Sequence, residues 1–336
     1  MTLFRVTTAF AVPSNGYGGY SGPHPWEHTD YNLGLKIAKR LPMTDAVPIL
    51  INARAGAVDS DLVERQLLRM AGDIGLPIRI VRTASPDDLK STIAKLVADR
   101  EPKVVIAGGD GTVALAVQGL ANTETALGIL SQGTFNNFAS CLRLHHNLPA
   151  ALKTIKDGTP RSVDLGKIGD DRYFTESAGI GLFADMLASY GKGTNKNLAR
   201  GLMALTRVAL SFGPHSVTLT LDGEQRVENV TLCEICNIYR IAQAVPIAPE
   251  ADPDDGLLDV VILHDLHRRE LPEYLRALRA QVHLGLPKVK VIRAKEVTIE
   301  SKARLNVHAD DQIIGFTPQT VSIKRAALKV LVDEDL

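Results

Sequence analysis

The segment at residues 104–117, VVIAGGDGTVALAV, contains a glycine cluster, Gly108-Gly109-Asp110-Gly111-Thr112, between two apolar runs. Glycines let the backbone approach a ligand closely, and backbone amides at the start of a helix favour phosphate. Because a carboxylate repels bare phosphate, Asp110 indicates either a bound Mg²⁺ or a base near a transferred group. The cluster therefore predicts a place where phosphate meets the backbone beside a carboxylate.

Two further polar loops contain glycine and follow short apolar runs. Residues 52–56, NARAG, follow the run 47–51, and residues 131–137, SQGTFNN, follow the run 127–130. A single glycine loop after a strand is as typical of a tight turn as of a site. Three such loops at the carboxyl ends of strands in one sheet favour a nucleotide cleft. The spacing G-x-G-x-x-G and the pattern Gly-Lys-Ser/Thr are both absent here, so the cluster is neither a dinucleotide-binding loop nor a Walker A loop.

The elements that must position these loops alternate between strand and helix from residue 46. Ser85-Pro86-Asp87-Asp88 is typical of a helix start, with serine as the N-cap and proline at the first helical position. Short strands alternating with amphipathic helices predict a parallel sheet covered by helices on both faces. This part extends to about residue 160.

Beyond residue 160 the apolar runs occur in pairs separated by turn signals. Residues 169–171, GDD, and the pair Asp222-Gly223 each lie between alternating strand-like runs. We therefore predict an α/β nucleotide-binding domain followed by a second, largely antiparallel β domain. The predicted divisions are an N-terminal extension over 1–45, the nucleotide-binding domain over 46–160, a β-rich substrate domain over 161–322, and a C-terminal segment over 323–336 that returns to the first domain.

Composition limits the classes of partner. Thirty-eight basic and 38 acidic residues give a formal net charge of zero, which gives no support for nucleic-acid binding. Three cysteines are too few for a disulfide framework and are typical of a reducing cytoplasm. No apolar run approaches the roughly 20 residues of a membrane helix. We expect a cytoplasmic protein without a transmembrane segment, although contact with a membrane surface stays open.

The motifs resemble a known family. GGDGT is shared by a superfamily that contains diacylglycerol kinases, sphingosine kinases, NAD kinases and 6-phosphofructokinases. Residues 133–139, GTFNNFA, resemble the lipid-kinase motif Gly-Thr-x-Asn-Asp/His-Phe-Ala, and residues 247–263, IAPEADPDDGLLDVVIL, resemble a second lipid-kinase stretch. Over about residues 46–332 the chain resembles the bacterial diacylglycerol kinase-like lipid kinases.

The resemblance implies ATP and Mg²⁺ as cofactors, with ATP between the two domains. The residues that it implies at the nucleotide are Asn52, Gly56, Thr83, Gly109, Gly111, Thr112, Gly133, Thr134 and Asn136. It implies that Asp110 lies at the phosphate–Mg²⁺ network. A structural Mg²⁺ site is implied at the Asp255 side chain and the backbone oxygens of Asp252 and Leu257, although an acidic run of this kind is also typical of a solvated turn.

The family's general base belongs to a late Asp-Gly-Glu motif that precedes Thr-Pro. The matching stretch here is NVHADDQIIGFTP, residues 306–318, so Asp310 stands for the base, Asp311 for the glycine and Gln312 for the glutamate. The resemblance implies that Asp310 accepts the proton of a lipid hydroxyl. Other departures from the family pattern are Ala53 for proline, Ser131-Gln132 for Leu-Pro, and Asn137 for Asp or His.

These residues lead to one principal hypothesis and two alternatives. The principal hypothesis is an ATP-dependent lipid kinase that phosphorylates a hydroxyl of diacylglycerol or a related long-chain lipid at a membrane surface. The alternatives are a lipid- or nucleotide-binding regulator with weakened catalysis, because of Gln312 and Asn137, and an NAD kinase. A homodimer is left open.

Two lesser features have competing interpretations. Basic residues interleaved with apolar ones over 192–208 predict either an amphipathic helix packed on the sheet or a basic rim on anionic lipid. Cys233 and Cys236 form a CxxC, but strand positions three apart point to opposite faces. We therefore expect core packing for both cysteines and no metal site.

Overall fold

Four parallel strands form the N-terminal part of the computed structural model, which describes residues 46–52, 60–144, 146–190, 212–241 and 245–333. The strands lie side by side in the order β2-β1-β3-β4. Their bounds are β1 (Val47–Asn52), β2 (Ile78–Thr83), β3 (Lys103–Gly108) and β4 (Ala126–Ser131). The helices that join or follow them are α1 (Ser60–Asp73), α2 (Pro86–Ala98), α3 (Asp110–Leu120), α4 (Asn137–Cys141) and α5 (Leu148–Asp157).

Side chains of these strands alternate between two apolar cores. Ile49 and Ile51 of β1 belong to one core with residues of α1 and α5, whereas Leu50 belongs to the other with residues of α2 and α3. The predicted parallel sheet with helices on both faces is confirmed. The predicted start of α2 is confirmed as well, because the Ser85 side chain accepts a hydrogen bond from the backbone amide of Asp88.

The remaining strands pair antiparallel with one another, which confirms the predicted second, largely antiparallel part. Seven of them lie in the order β14-β13-β7-β9-β8-β12-β15, with β10 and β11 joined through β9 and β6 joined through β5. The strands are β5 (Thr159–Ile168), β6 (Arg172–Phe174), β7 (Ser177–Gly181), β8 (His215–Leu221), β9 (Glu224–Cys236), β10 (Leu258–His264), β11 (Val289–Ala294), β12 (Glu296–Glu300), β13 (Asn306–Ala309), β14 (Gln312–Phe316) and β15 (Gln319–Val332). Helix α6 (Leu182–Tyr190), helix α7 (Leu271–Arg279) and a 3₁₀ turn (His283–Gly285) complete the elements in the described ranges.

The long strand β15 belongs to both parts of the sheet. Its first residues pair with β12 and β5, and near its end Val330 lies beside Leu127 of the parallel strand β4. The parallel and antiparallel strands are therefore one continuous sheet. The exact domain boundaries stay a prediction.

The turn between β8 and β9 contains the sequence Asp-Gly-Glu, which is distinct from the late motif that begins at Asp310. Asp222 and Gly223 have φ values of +48° and +90°, as a two-residue hairpin turn of the I′ type requires. The Asp222 carboxylate accepts hydrogen bonds from the amides of Lys295 and Glu296, which fixes the turn to the next hairpin. This Asp-Gly-Glu has a structural role in a hairpin, as its position between two strands predicts.

The two cysteines of the CxxC lie on opposite faces of β9, as expected. Cys233 packs in the core between the antiparallel strands, and Cys236 packs in a separate cluster with Ile241, Ile247 and Ala248. Burial raises the pKa of both thiols, so they are protonated core side chains.

Several predicted features lie outside the described residues. They are the N-terminal extension over 1–45, Ala53 and Gly56 of the first polar loop, and the basic segment over 192–208. Within the ranges that are described, no helix has the length and apolar character that crossing a bilayer needs.

Candidate active site

The carboxyl ends of the four parallel strands bring together several of the predicted nucleotide residues. Asn52 lies beside Thr83 in the pairing of β1 with β2, and Gly108 lies beside Ser131 in the pairing of β3 with β4. Thr83 is buried, and its hydroxyl group approaches the carbonyl oxygen of Ile51 at 3.4 Å. The strand ends therefore form one edge, as the topology of a parallel sheet requires.

The two glycine loops touch each other at this edge. A Cβ atom on Gly133 would lie 2.6 Å from the Cα atom of Gly109 and 2.7 Å from the Asn136 side-chain oxygen. The Asn136 amide group closes its own loop, because it accepts a hydrogen bond from the Gly133 amide and donates one to the Gly133 carbonyl, both at 2.9 Å. Asn136 has φ +49°, a conformation that asparagine tolerates better than most residues. Only residues without side chains permit this approach.

Other predicted nucleotide residues lie in the same two loops. The Thr112 side chain covers Gly108, where a Cβ would meet it at 2.8 Å. Gly111 follows Asp110 in the first turn of α3, and Thr134 is exposed next to Gly133. Ser131 at the end of β4 has a buried hydroxyl oxygen that lacks a hydrogen-bond partner among the described residues. Backbone that only glycine permits and an unsatisfied hydroxyl group fit a bound phosphate compound.

Asp110 is the first residue of α3, and its carboxylate faces the start of α4. It accepts a hydrogen bond from the backbone amide of Phe138 at 3.4 Å. Burial raises the pKa of the Asp110 carboxyl above its ordinary value, although backbone amides of residues 136–138 act in the opposite direction. The carboxylate therefore joins the glycine cluster to the loop that contains GTFNNFA.

Asp310 lies in the turn between β13 and β14, with φ +49°. Its carboxylate oxygens accept hydrogen bonds from the amide of Thr175 at 3.1 and 3.2 Å and from the amide of Glu176 at 2.8 Å. Burial raises the pKa of Asp310 to about 6, and these amide hydrogen bonds partly offset that effect. A carboxylate with this pKa is ionised at neutral pH and is a stronger base than an ordinary aspartate.

A buried pair connects the surroundings of Asp110 with those of Asp310. The side-chain amide of Asn137, the first residue of α4, donates to the Glu176 carboxylate at 3.1 Å. Asn137 and Glu176 are both buried, and the Glu176 amide binds Asp310. An aspartate at position 137, which the family pattern allows, would place a second carboxylate against Glu176. The presence of asparagine in this chain therefore has a local physical reason.

The two residues after Asp310 differ in where they point. A Cβ atom on Gly111 would lie 3.8 Å from a carboxylate oxygen of Asp311, so the β13–β14 turn reaches the glycine cluster. The Gln312 side-chain oxygen instead accepts a hydrogen bond from Arg172 at 2.9 Å. A carboxylate therefore faces the glycine cluster one position earlier than the family pattern places its glutamate.

The acidic loop over 252–257 is tied to basic and buried groups. The Asp255 carboxylate forms an ion pair with Arg293 and accepts a hydrogen bond from the Leu257 amide at 2.9 Å. The Asp252 carboxylate accepts a hydrogen bond from the Asp254 amide at 3.0 Å. The oxygen donors suit a hard cation, but Arg293 already neutralises Asp255. In the described ranges, no group of three or more His, Cys, Asp or Glu side chains is arranged around a metal position. The structural Mg²⁺ site stays a prediction.

Three residues at the Asp310 turn were missed by sequence reasoning: Glu176, Glu234 and His308. Each lies within or next to an apolar strand run, in FTESAGIG, TLCEICNI and LNVHA. A charged or titratable side chain in a buried strand needs a partner, so this contrast was an available signal. It could not identify the partner, since Ser177 and Glu234, which hydrogen-bond to each other, are 57 positions apart.

Comparison with known families gives two matches that together cover most of the described chain. Residues 46–168 match the diacylglycerol kinase catalytic domain. Residues 176–332 match the YegS C-terminal NAD kinase beta sandwich-like domain. The residues between the two matches, 169–175, contain β6 and end at Thr175, one of the residues that bind Asp310.

Individual relatives agree with these matches. The chain is 32% identical over 254 residues to a diacylglycerol kinase of Mycobacterium tuberculosis, which covers 73% of this chain and 81% of the relative. It is 28% identical over 236 residues to a diacylglycerol kinase of Bacillus subtilis, with 67% and 76% covered. A crystal structure of a diacylglycerol kinase from Bacillus anthracis has the same fold, with a TM-score of 0.65, 20% identity, and coverage of 87% of this chain and 98% of that one.

Proposed function

The chain belongs to the diacylglycerol kinase family of lipid kinases, and we propose that it transfers the γ-phosphate of ATP to a hydroxyl group of diacylglycerol or a related long-chain lipid. The single observation that best supports this reaction is the buried Asn137–Glu176 hydrogen bond. Through it, the loop that faces Asp110 is linked to the turn that binds Asp310. A phosphoryl transfer depends chiefly on positioning, so a fixed relation between the two carboxylates is what this chemistry needs.

Asp310 is the proposed general base. Its carboxylate would accept the proton of the lipid hydroxyl as that oxygen attacks the γ-phosphorus. The amides of Thr175 and Glu176 hold the carboxylate in place, and its raised pKa of about 6 leaves it ionised at neutral pH while increasing its basicity.

The nucleotide would lie against the glycine loops at the strand ends. Gly109, Gly111 and Thr112 would face the phosphates from one side, and Gly133, Thr134 and Asn136 from the other. Asn52, Gly56 and Thr83 would complete the site at the ends of β1 and β2. The close approach of Gly109 to Gly133 supports this arrangement, since it leaves backbone groups uncovered by side chains.

Asp110 would hold Mg²⁺ at the phosphates, and Asp252, Asp255 and Leu257 would hold a structural Mg²⁺. When bound at the phosphates, this ion neutralises the charge that develops on the transferred group. The half-buried carboxylate of Asp110, which belongs to the glycine cluster and contacts the Phe138 amide of the second loop, supports the first of these roles.

A lipid substrate would require the protein to act at a membrane surface, as a peripheral enzyme on the cytoplasmic side.

The second candidate function is a regulator that binds lipid or nucleotide with little turnover. The observation that favours it is the hydrogen bond of Gln312 to Arg172, because a neutral amide occupies the position of the family's glutamate.

The decisive experiment is phosphate transfer from γ-labelled ATP into a total lipid extract, with Mg²⁺ present. We expect label in a lipid that co-migrates with a phosphorylated diacylglycerol. Binding of ATP without any labelled lipid would support the regulator, and label in added NAD would support an NAD kinase. Either of those results would overturn the lipid-kinase proposal.

A further inference from the structure

Four residues around the Asp310 turn form a closed ring of polar contacts. The Asp310 amide donates to the Ser177 carbonyl at 2.8 Å, and the Ser177 hydroxyl donates to the Glu234 carboxylate at 2.6 Å. The same carboxylate oxygen lies 2.8 Å from Nε2 of His308. Nδ1 of His308 lies 3.0 Å from the Asp310 carbonyl oxygen, which closes the ring.

The contacts of His308 determine how many protons its imidazole group has. The Asp310 carbonyl can only accept, so Nδ1 must have a proton. A neutral imidazole would then present the lone pair of Nε2 to a carboxylate oxygen, which is also an acceptor. Because the side chains of His308 and Glu234 are fully buried, water cannot mediate between two acceptors. A second proton on Nε2 turns this contact into an ion pair, which accounts for the 2.8 Å distance without the directed geometry of a hydrogen bond.

The second proton belongs to the imidazole. The Glu234 oxygen that meets His308 also accepts the hydrogen bond of the Ser177 hydroxyl group. Burial alone would lower the pKa of His308, but the contacts with Glu234 and Asp310 and the charges of both residues together raise it, so the net direction is upward. The pair is an imidazolium against a carboxylate.

The other groups that face this pair are aromatic, protonated or already hydrogen-bonded, so we do not expect them to take up the shared proton. The edge of the Phe183 ring from α6 contacts the imidazole, with ring centroids 4.7 Å apart. Asp185 of α6 is bound to Asn306. On β9 the nearest titratable neighbours of Glu234 are two protonated thiols, Cys233 and Cys236. The carboxylate of Asp310 is bound by the amides of Thr175 and Glu176.

We propose that Glu234 and His308 are positioning residues that hold the backbone of Asp310 in its left-handed conformation through one buried, shared proton. This role rests on the proposed function of Asp310 as the base. Neither side chain touches the reacting atoms, since both are enclosed among β7, β9, β13 and α6. Their effect on the reaction passes through the Asp310 carbonyl, which His308 binds, and through Ser177, which binds the Asp310 amide.

The shared proton makes the four-residue ring of polar contacts sensitive to alkaline pH. When the imidazolium loses its proton, Nε2 and the Glu234 oxygen become two acceptors that face each other at 2.8 Å, and they must separate. The His308 ring then moves away from the Asp310 carbonyl. We therefore expect kcat of the wild-type protein to fall at alkaline pH while KM for ATP changes little.

Two variants test the role of the pair on turnover. Glu234→Gln can donate to a neutral His308, so it rebuilds the contact without the second proton; we expect its kcat to lack the alkaline decline. His308→Leu removes both contacts. A misplacement of about 1 Å in a catalytic group can cost about 10²-fold, so we expect kcat to fall by about 10–100-fold. An alkaline decline in Glu234→Gln identical to that of the wild type would overturn the proposal.

The chain contains a matched control pair on neighbouring strands. His264 of β10 and Glu228 of β9 approach at 3.6 Å, are partly exposed, and lie apart from Asp310 in the sheet. We expect Glu228→Gln to keep the wild-type pH profile and kcat. The same change in profile for Glu228→Gln and Glu234→Gln would show a general effect of charge and would contradict the specific role.

A measurement without turnover separates this proposal from the proposed function. In ¹⁵N-histidine NMR spectra of the wild-type protein at neutral pH, both ring nitrogens of His308 should have protons, and Nε2 should lose its proton in Glu234→Gln. An unprotonated Nε2 in the wild type would overturn the shared proton even if the kinase is active. If His308→Leu does not fold, this spectrum and the Glu234→Gln profile still decide. Absence of lipid phosphorylation with the expected spectrum would instead refute the proposed function.

Discussion

The two carboxylates at the candidate site, Asp110 and Asp310, are held by opposite means. Asp110 lies in a loop shaped by missing side chains, where Gly109 and Gly133 approach too closely for any Cβ atom. Asp310 lies in a turn shaped by side chains from distant strands, with Glu234 and His308 buried behind it. Burial raises the pKa of both carboxyls, yet only Asp310 has its backbone fixed by a polar ring.

This difference fits the roles that we propose for the two carboxylates. A group beside bound phosphates needs open backbone around it, because the ligand supplies most of the contacts. A base needs a fixed direction before the substrate arrives, because proton transfer fails over small displacements. The contrast therefore predicts different consequences when each region is altered.

The largest effect is expected for Asp310→Asn. An amide cannot accept the hydroxyl proton, so lipid phosphorylation should fall by about 10²–10⁴-fold while the affinity for ATP stays near that of the wild type. Turnover of labelled ATP into lipid and equilibrium binding of ATP are the two measurements. Wild-type turnover in this variant would remove Asp310 from the role of base.

The variant Asp110→Ala tests the other carboxylate in the same two assays. It should weaken catalysis and the dependence on Mg²⁺ together, and it should also destabilise the start of α4, by about 1 kcal/mol for a lost cap. The comparison between the two carboxylates fails if both variants have the same dependence on Mg²⁺ and the same thermal midpoint.

An intermediate effect is expected for Gly133→Ala. The added Cβ would lie 2.6 Å from Gly109, so the two loops must separate. Overpacking of this kind costs about 1–3 kcal/mol. Because ATP would bind only the closely packed loops, this cost would appear as roughly 5–150-fold weaker binding of ATP. The matched control is Gly72→Ala in α1, where nothing lies within 4 Å of the new atom. Equal ATP dissociation constants for the two variants would contradict the proposed phosphate cradle.

The smallest effect concerns pH and distinguishes the two carboxylates without mutation. As the proposed base, Asp310 would act only when ionised, and burial raises its pKa to about 6. We therefore expect kcat/KM to be lost as the pH falls through 6 and to be level above it, up to the alkaline decline expected for the Glu234–His308 pair. Below pH 6 the decline should approach about tenfold per pH unit. Measurement of kcat/KM for the lipid between pH 5 and 8 tests this. An acid limb near pH 4 would indicate an ordinary, exposed carboxylate.

The sequence predicts the surroundings of Asp110 much better than those of Asp310. The alternation of strands and helices, the N-cap at Ser85 and the Asp222-Gly223 hairpin depend on neighbours in the chain, and all are present as predicted. The glycine cluster is also local, because its function lies in residue types at fixed spacing.

The surroundings of Asp310 are not local, and this is why the sequence does not reveal them. Thr175 and Glu176 lie between β6 and β7, and Ser177 begins β7. Glu234 lies on β9, and His308 lies on β13. Their association depends on the strand order β13-β7-β9, which no short pattern specifies. The contact of Asp255 with Arg293 has the same cause, because β10 and β11 are neighbours only in the folded sheet.

The position of β15 has a consequence for the order in which the protein is made. Residues near Val330 pair with β4, whose own residues precede them by about two hundred positions, and they complete that side of the parallel sheet. During synthesis, the edge of β4 that pairs with β15 therefore stays unpaired until almost the whole chain has emerged from the ribosome. An exposed strand edge is prone to wrong pairing. The parallel part of the sheet, although it is synthesised first, can be completed only after β15 has been synthesised.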